Sequence, residues 1–293
     1  MKYILSAIVV IILAAAGWYF LVREAPVPQN AELPSIENPV VESPPQDEGT
    51  TVIGRSAGGA DINAFHFGSG EEEILFVGGI HGGYSWNTAL VAYELMDHLE
   101  ANPDTIPSNV RVTVIPVANP DGLKKVVGTT SAFAASDVST SANLEAARFN
   151  ENTVDLNRNF DCDWQEDAVW QKKQVSGGTA VFSEPETQAI RDYVEESTPK
   201  AVIVWYASAG GVYASNCHNG VLPETSEILN RYAQASGYRA YQDFDYYETT
   251  GDMTNWLAKI GIPSISVLLT NHTNTEWAKN RAGIEAVLDY YTN

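Results

Sequence analysis

Three groups of residues in this chain have the types and spacing to do chemistry. An imidazole, His81, stands in the run Gly78-Gly79-Ile80-His81-Gly82-Gly83, directly behind the apolar stretch Ile74 to Val77. A short apolar run broken by glycines reads as a buried strand that delivers the following side chains to a surface. Ser208, Asp245 and His272 occur in the order Ser, Asp, His, one chain order of a hydrolytic triad. That nucleophile needs Gly-x-Ser-x-Gly, whereas the segment here is Tyr206-Ala207-Ser208-Ala209-Gly210, with a bulky residue where the sharp turn needs glycine. A serine hydrolase is therefore the minor alternative. Cys162 and Cys217 are expected to form a disulfide closing a 54-residue span if the protein is exported. Connectivity does not follow from sequence alone, so two buried thiols is the other reading.

Alternating strand and helix signals must position these residues. Val110 to Val117 follows Ile74 to Val77 as a second strand, and Ala201 to Trp205 and Ser264 to Leu269 are further apolar strands. Between the first two, Trp86, Leu90, Tyr93 and Met96 mark the apolar stripe of a helix. Ser183-Glu184-Pro185-Glu186 predicts a capping box that opens a helix through Ile190 and Val194. Trp277, Ile284, Leu288 and Tyr291 predict a closing helix. Such alternation implies a layered α/β fold with a largely buried sheet, whose sites gather beyond the C-terminal ends of the strands.

The chain has 293 residues, enough for one large domain with a real core. A formal charge of −20 has the wrong sign for neutralising phosphates, so no nucleic-acid partner is expected. Apolar residues at 44% exclude a disordered chain. Tyr3 to Val22 carries no charge over the length a bilayer-spanning helix needs, so residues 1–23 predict a membrane anchor or a cleaved signal. Residues 24–50 hold six prolines, six acids and no Lys or Arg, which predicts an extended tether. Residues 51–293 then form the domain, expected outside the cytoplasm, anchored or secreted.

Five segments in register carry a resemblance. They are the glycine-rich run around His81, Asn119-Pro120-Asp121-Gly122, Arg148, Val154-Asp155-Leu156-Asn157-Arg158-Asn159-Phe160, and Ser183-Glu184-Pro185-Glu186. Together with Tyr247 to Trp256, which is similar to a substrate-capping loop, they resemble the zinc carboxypeptidase family over nearly all of Val52 to Asn293. The resemblance implies a mixed, mostly parallel sheet sandwiched between helices. It also implies that Arg148, Asn157 and Arg158 grip a peptide's terminal carboxylate and that Tyr247 belongs to a mobile loop. Arginine's planar fork suits that task; the other reading pairs Arg158 with Asp155, Asp161 or another acid of this acidic domain. Thr153 replaces the glycine usual before Val-Asp-Leu-Asn-Arg, where glycine would allow a left-handed backbone.

The chain departs from the family's pattern at the metal. His81 matches the first zinc ligand, but the positions of the second are Tyr84 or Ser85, the third falls on Tyr206, and the general base falls on Leu268. Catalytic zinc needs three protein ligands and an open position. Losing a +2 ion together with two carboxylates leaves the local charge unchanged, so the departures fit one coordinated removal. Tyr206 would fill vacated volume, its hydroxyl bonded to His81 or Ser85, or as a phenolate it would be an unusual metal ligand. Substitutes such as Asp252 or His272 would be needed for an active zinc enzyme, and His272 is expected as a solvent-facing loop residue. The expectation is an exported pseudopeptidase that binds the C-terminus of a peptide or cell-wall stem peptide without a cofactor; the alternative is an active zinc metallocarboxypeptidase with substituted ligands.

Overall fold

A computed structural model describes residues 49–292. The anchor predicted for residues 1–23 and nearly all of the tether lie outside them. Among the described residues no helix is long and apolar enough to cross a membrane.

The strands are β1 (Thr50–Arg55), β2 (Asp61–Phe67), β3 (Glu72–Val77), β4 (Val110–Ile115), β5 (Asp167–Trp170), β6 (Lys173–Ser176), β7 (Ala201–Ala207), β8 (Gly211–Ala214), β9 (Ala240–Tyr241) and β10 (Ser264–Leu269). Eight of them form one sheet in the order β1-β2-β4-β3-β7-β10-β8-β9, and β5 pairs only with β6. The central neighbours β4, β3, β7 and β10 run parallel, while β1, β2 and β8 join antiparallel. The fold is α/β with a mixed, mostly parallel sheet, as the sequence resemblance implies.

Period-two alternation assigns each strand residue to a face. Ile74, Phe76, Ile203, Trp205, Ile265 and Val267 face one core, which α1 (Trp86–Ala101), α4 (Pro223–Ser236) and α6 (Trp277–Tyr290) cover. Leu75, Val77, Val202, Val204 and Tyr206 face the other, under α3 (Pro185–Ser197) and α5 (Met253–Lys259). Burial on both faces explains why β3, β7 and β10 read as continuous apolar runs rather than alternating ones. Each fully buried Val, Leu or Ile contributes about 1.5–3 kcal/mol, so the central strands form a stiff platform.

Two local expectations need correction. In α1 the residues buried against the sheet are Val91, Ala92, Leu95 and Leu99; of the predicted stripe only Met96, partly buried, packs against that core. Trp86, with partly buried Leu90 and Tyr93, instead packs on α2 (Pro120–Val127) in a side cluster with Leu123 and Val126. The helix is covered on two sides, so its larger side chains mark the second contact rather than the sheet. Nor does Ser183 cap α3. The N-cap is Glu184, and Ser183 Oγ donates to Glu184 Oε1 at 2.8 Å and lies 3.0 Å from Asn159 Nδ2.

Candidate functional site

The C-terminal ends of β3, β7 and β10 open onto one cavity of about 580 Å3, within the range of small-ligand sites. After β3 the chain turns through Gly82, whose φ of 47° is left-handed and whose missing Cβ would lie 2.7 Å from the Ala147 carbonyl oxygen. Glycine is required there, and the turn seats His81 at the cavity wall. Parallel register sets Leu268 of β10 directly beside Tyr206 of β7. The sheet thus brings His81, Tyr84, Tyr206 and Leu268 to one cavity, with Ser85 buried in the turn behind them.

The arginines come from two short 3-10 turns, Ala146–Arg148 and Leu156–Arg158. Asn119 caps α2, its Oδ1 accepting from Gly122 N at 2.8 Å, and its Nδ2 donates to the Arg148 carbonyl. Thr153 has φ 62°, so the left-handed geometry usual for glycine is kept at a cost of about 1–2 kcal/mol. Asn150 offsets part of that cost, its Oδ1 accepting from Val154 N at 3.0 Å.

The two guanidinium groups differ in compensation. Arg148 Nε donates to Asp155 Oδ2 at 2.7 Å, and its Cζ lies 4.5 Å from the Trp170 ring centroid. Arg158 has no acidic partner within 4 Å among the described residues, so the alternative reading that pairs it with Asp155, Asp161 or another acid does not hold. Asp155 is taken by Arg148, and Asp161 by Lys259 at 2.8 Å. Arg158 instead donates through Nε to the Val169 carbonyl and through Nη1 to the Asn157 carbonyl, which leaves Nη2 with no partner although the residue is only 1% exposed. The Tyr247 ring stands 6.0 Å away. Asn157 donates from Nδ2 to Asp252 Oδ2 at 2.7 Å, and its Oδ1 accepts from Met253 N and the Tyr206 hydroxyl.

That last bond corrects the expected partner of Tyr206: its hydroxyl reaches Asn157 Oδ1 at 3.2 Å, not His81 or Ser85. Burial, reinforced by Asp252, raises the phenol well above its ordinary 10, so the hydroxyl is protonated and donates. Burial, reinforced by Arg148 and Arg158, lowers His81 well below 6.5, so its imidazole is neutral. Its Nε2 lies 3.8 Å from Asp155 Oδ1, which for a neutral ring is neither a hydrogen bond nor an ion pair, and both ring nitrogens lack hydrogen-bond partners.

Zinc does not fit this donor set. One imidazole beside a protonated phenol, a serine hydroxyl and Leu268 falls short of three ligands and a base. Asp252, one of the two suggested substitutes, is engaged by Asn157, Thr254 and Asn255 N as the cap of α5.

His272 follows β10 in a loop, as expected, but it faces the cavity rather than solvent. The loop is held by Asn87 Nδ2 bonds to the carbonyls of Asn271 and Asn274. The imidazole lies 4.4 Å from the Tyr84 ring, its Nε2 is 3.1 Å from Ser208 Oγ, and burial lowers its pKa below 6.5. Its Nδ1 has no partner, so Asp245 does not complete a triad. Sequence reasoning missed Trp170, whose ring stacks on Arg148, because it sits in a hairpin outside the main sheet and no motif marks it. Cys162 and Cys217 form a disulfide, joining the segment after Arg158 to the one after β8.

Strand ends that gather a buried arginine pair, a neutral imidazole and Tyr247 around a small-ligand cavity define the site of this α/β domain. The sequence model for zinc carboxypeptidases matches residues 40–292, and the chain belongs to that family. Its fold is similar to murein-tripeptide amidase MpaA from Escherichia coli O157, with 22% identity over 84% of this chain and 94% of that one, at a TM-score of 0.60. Carboxypeptidase A from Helicoverpa armigera is 18% identical over 82% of this chain and 66% of its own, at a TM-score of 0.62. Bovine thrombin-activatable fibrinolysis inhibitor, solved with tick carboxypeptidase inhibitor, is 18% identical over 82% and 87%, at a TM-score of 0.64.

Proposed function

We propose that this domain binds the C-terminal carboxylate of a peptide or cell-wall stem peptide without cleaving it by the family's zinc mechanism, and that residues 1–23 export and tether it. One observation carries the reading: Arg158 is a buried cation with an unpartnered Nη2 at the cavity wall. An uncompensated buried charge costs several kcal/mol, and an incoming carboxylate offsets that cost. The similarity to a murein-tripeptide amidase supports a stem peptide as one source of the carboxylate.

Arg158 Nη2 donates to the carboxylate, and the second hydrogen of Asn157 Nδ2 adds a weaker contact. Arg148 and neutral His81 then face the preceding peptide group, the imidazole offering one donor and one acceptor. No proton acceptor stands where the family's base belongs, because Leu268 has none. Tyr247 and Trp170 cover the arginines and exclude water, which strengthens the charge-assisted bonds.

Calorimetry with a short peptide, free or amidated at its C-terminus, together with elemental analysis and assays of C-terminal amino-acid release, tests the reading. Binding of the free acid alone, without release, is expected. Equimolar zinc with chelator-sensitive release would establish an active enzyme with substituted ligands.

A further inference from the structure

Away from the cavity, two dipeptides bring three metal-ligand side chains together, with a fourth bonded to one of them. Cys162-Asp163 ends the segment that bears Arg158, and Cys217-His218 follows β8. The disulfide joins the cysteines, and His218 Nε2 lies 2.7 Å from Asp163 Oδ1 above it. Both sulfurs and a carboxylate oxygen of Asp163 lie within 4.8 Å of one another, the one such group among the described residues. Asp163 and His218 adopt φ of 52° and 64°, left-handed values that non-glycine residues reach at a cost; Asp163 Oδ2 lies 3.7 Å from Cys162 Sγ, and His218 meets Asp163 through Nε2. The cysteines are buried and the other two residues exposed, so a cation can approach from the Asp163–His218 side.

We propose that, once the bridge is reduced, Cys162, Asp163, Cys217 and His218 bind one zinc ion. The two loops are then tied by a covalent bond under oxidising conditions and by a metal under reducing ones. Reduction by two equivalents of an external thiol breaks the S–S bond and gives two protein thiols and one external disulfide. Zinc then forms two Zn–S bonds and displaces both thiol protons to solvent, while neutral His218 Nε2 and one Asp163 oxygen complete four ligands.

Geometry and ligand chemistry favour zinc. Tetrahedral coordination at about 2.3 Å per Zn–S bond sets the sulfurs roughly 3.8 Å apart. The cysteine Cα atoms are 6.1 Å apart, so rotation of the side chains reaches that spacing without moving the backbone. Two thiolates, an imidazole and a carboxylate form a borderline-soft tetrahedral set. The clip would matter to the cavity, because Cys162 O accepts from Gly251 N and Phe160 N donates to Gly251 O, immediately before Asp252.

The test uses the full chain carrying His81→Ala, so that zinc at the lone imidazole does not contribute. Zinc is titrated into oxidised and phosphine-reduced protein against a chromogenic chelator, and cobalt is added in parallel to read thiolate-to-metal charge transfer. One zinc per reduced chain is expected, with a charge-transfer band, no matching site in the oxidised chain, and at least tenfold weaker binding in D163N and H218A. Circular dichroism follows the fold, and if the reduced apo chain unfolds, zinc must restore it. Three results would each overturn the proposal: no thiolate band, binding unchanged in H218A or in C162S/C217S, or a reduced chain that zinc fails to refold. Peptide binding enters none of these readouts, so the site stands or falls independently of the carboxylate pocket.

Discussion

Arg158 is bonded twice to backbone carbonyls and left with one open nitrogen, so its removal subtracts ligand affinity more than fold. Arg158→Gln is expected to weaken a free-acid peptide roughly 10–100-fold, the loss of a charge-assisted bond of about 1.5–3 kcal/mol, and to abolish discrimination against the amidated peptide in calorimetry. Between about pH 6.5 and 9 the affinity of the wild type should stay flat, by titration calorimetry. The two cavity histidines are already neutral above 6.5, because burial lowers both, and Tyr84 and Tyr206 are raised above 10. Binding tightens only below that window, where His272 and then His81 gain protons and add positive charge near the carboxylate. Restoring Ser85→Glu, Tyr206→His and Leu268→Glu together should give about one zinc per chain by elemental analysis, consistent with the three-ligand requirement. Single restorations should not.

At the scale of elements, the platform under the cavity depends on close helix packing. Gly283 of α6 faces Tyr232 of α4, and a Cβ there would lie 2.5 Å from the ring. That ring is fixed, since the Tyr232 hydroxyl donates to Asn280 Oδ1 at 2.7 Å and stands 3.3 Å from Trp205 Nε1 of β7. Gly283→Ala is therefore expected to destabilise the domain by about 1–3 kcal/mol through overpacking, read as a lower urea midpoint. The error in reading α1 has a related cause. A helix covered on two sides shows a wide apolar band, and the sequence does not say which part of the band meets the sheet.

Over the whole molecule, a buried acidic junction ties the first loop to α3. Glu186 accepts from Ala57 N and Asn150 Nδ2, with Asp121 and Glu184 close by. Burial, with a contribution from Asp121, raises its carboxyl to about 7. The folded chain therefore holds a proton that the unfolded chain releases near 4.5, and the resulting stability is lost as pH rises from about 4.5 to about 7. Glu186→Gln should flatten that decline, worth up to about 3 kcal/mol, in thermal melts across the window.

The amino-acid order by itself determined the strand cores, the family's loop motifs and which residue types stand at the family's metal positions. Each of these is a local pattern: an apolar run, a glycine turn, or a residue type at a fixed offset. Tertiary structure alone decided which charge is left uncompensated. Asp155 lies 3 residues from Arg158 yet pairs with Arg148, and Asp161, also 3 away, pairs with Lys259. Tyr206 finds Asn157, 49 positions earlier, because strand register and a distant turn set which polar groups meet in a buried wall. Long-range partners of this kind depend on where the chain crosses itself, and burial then fixes their protonation and cost.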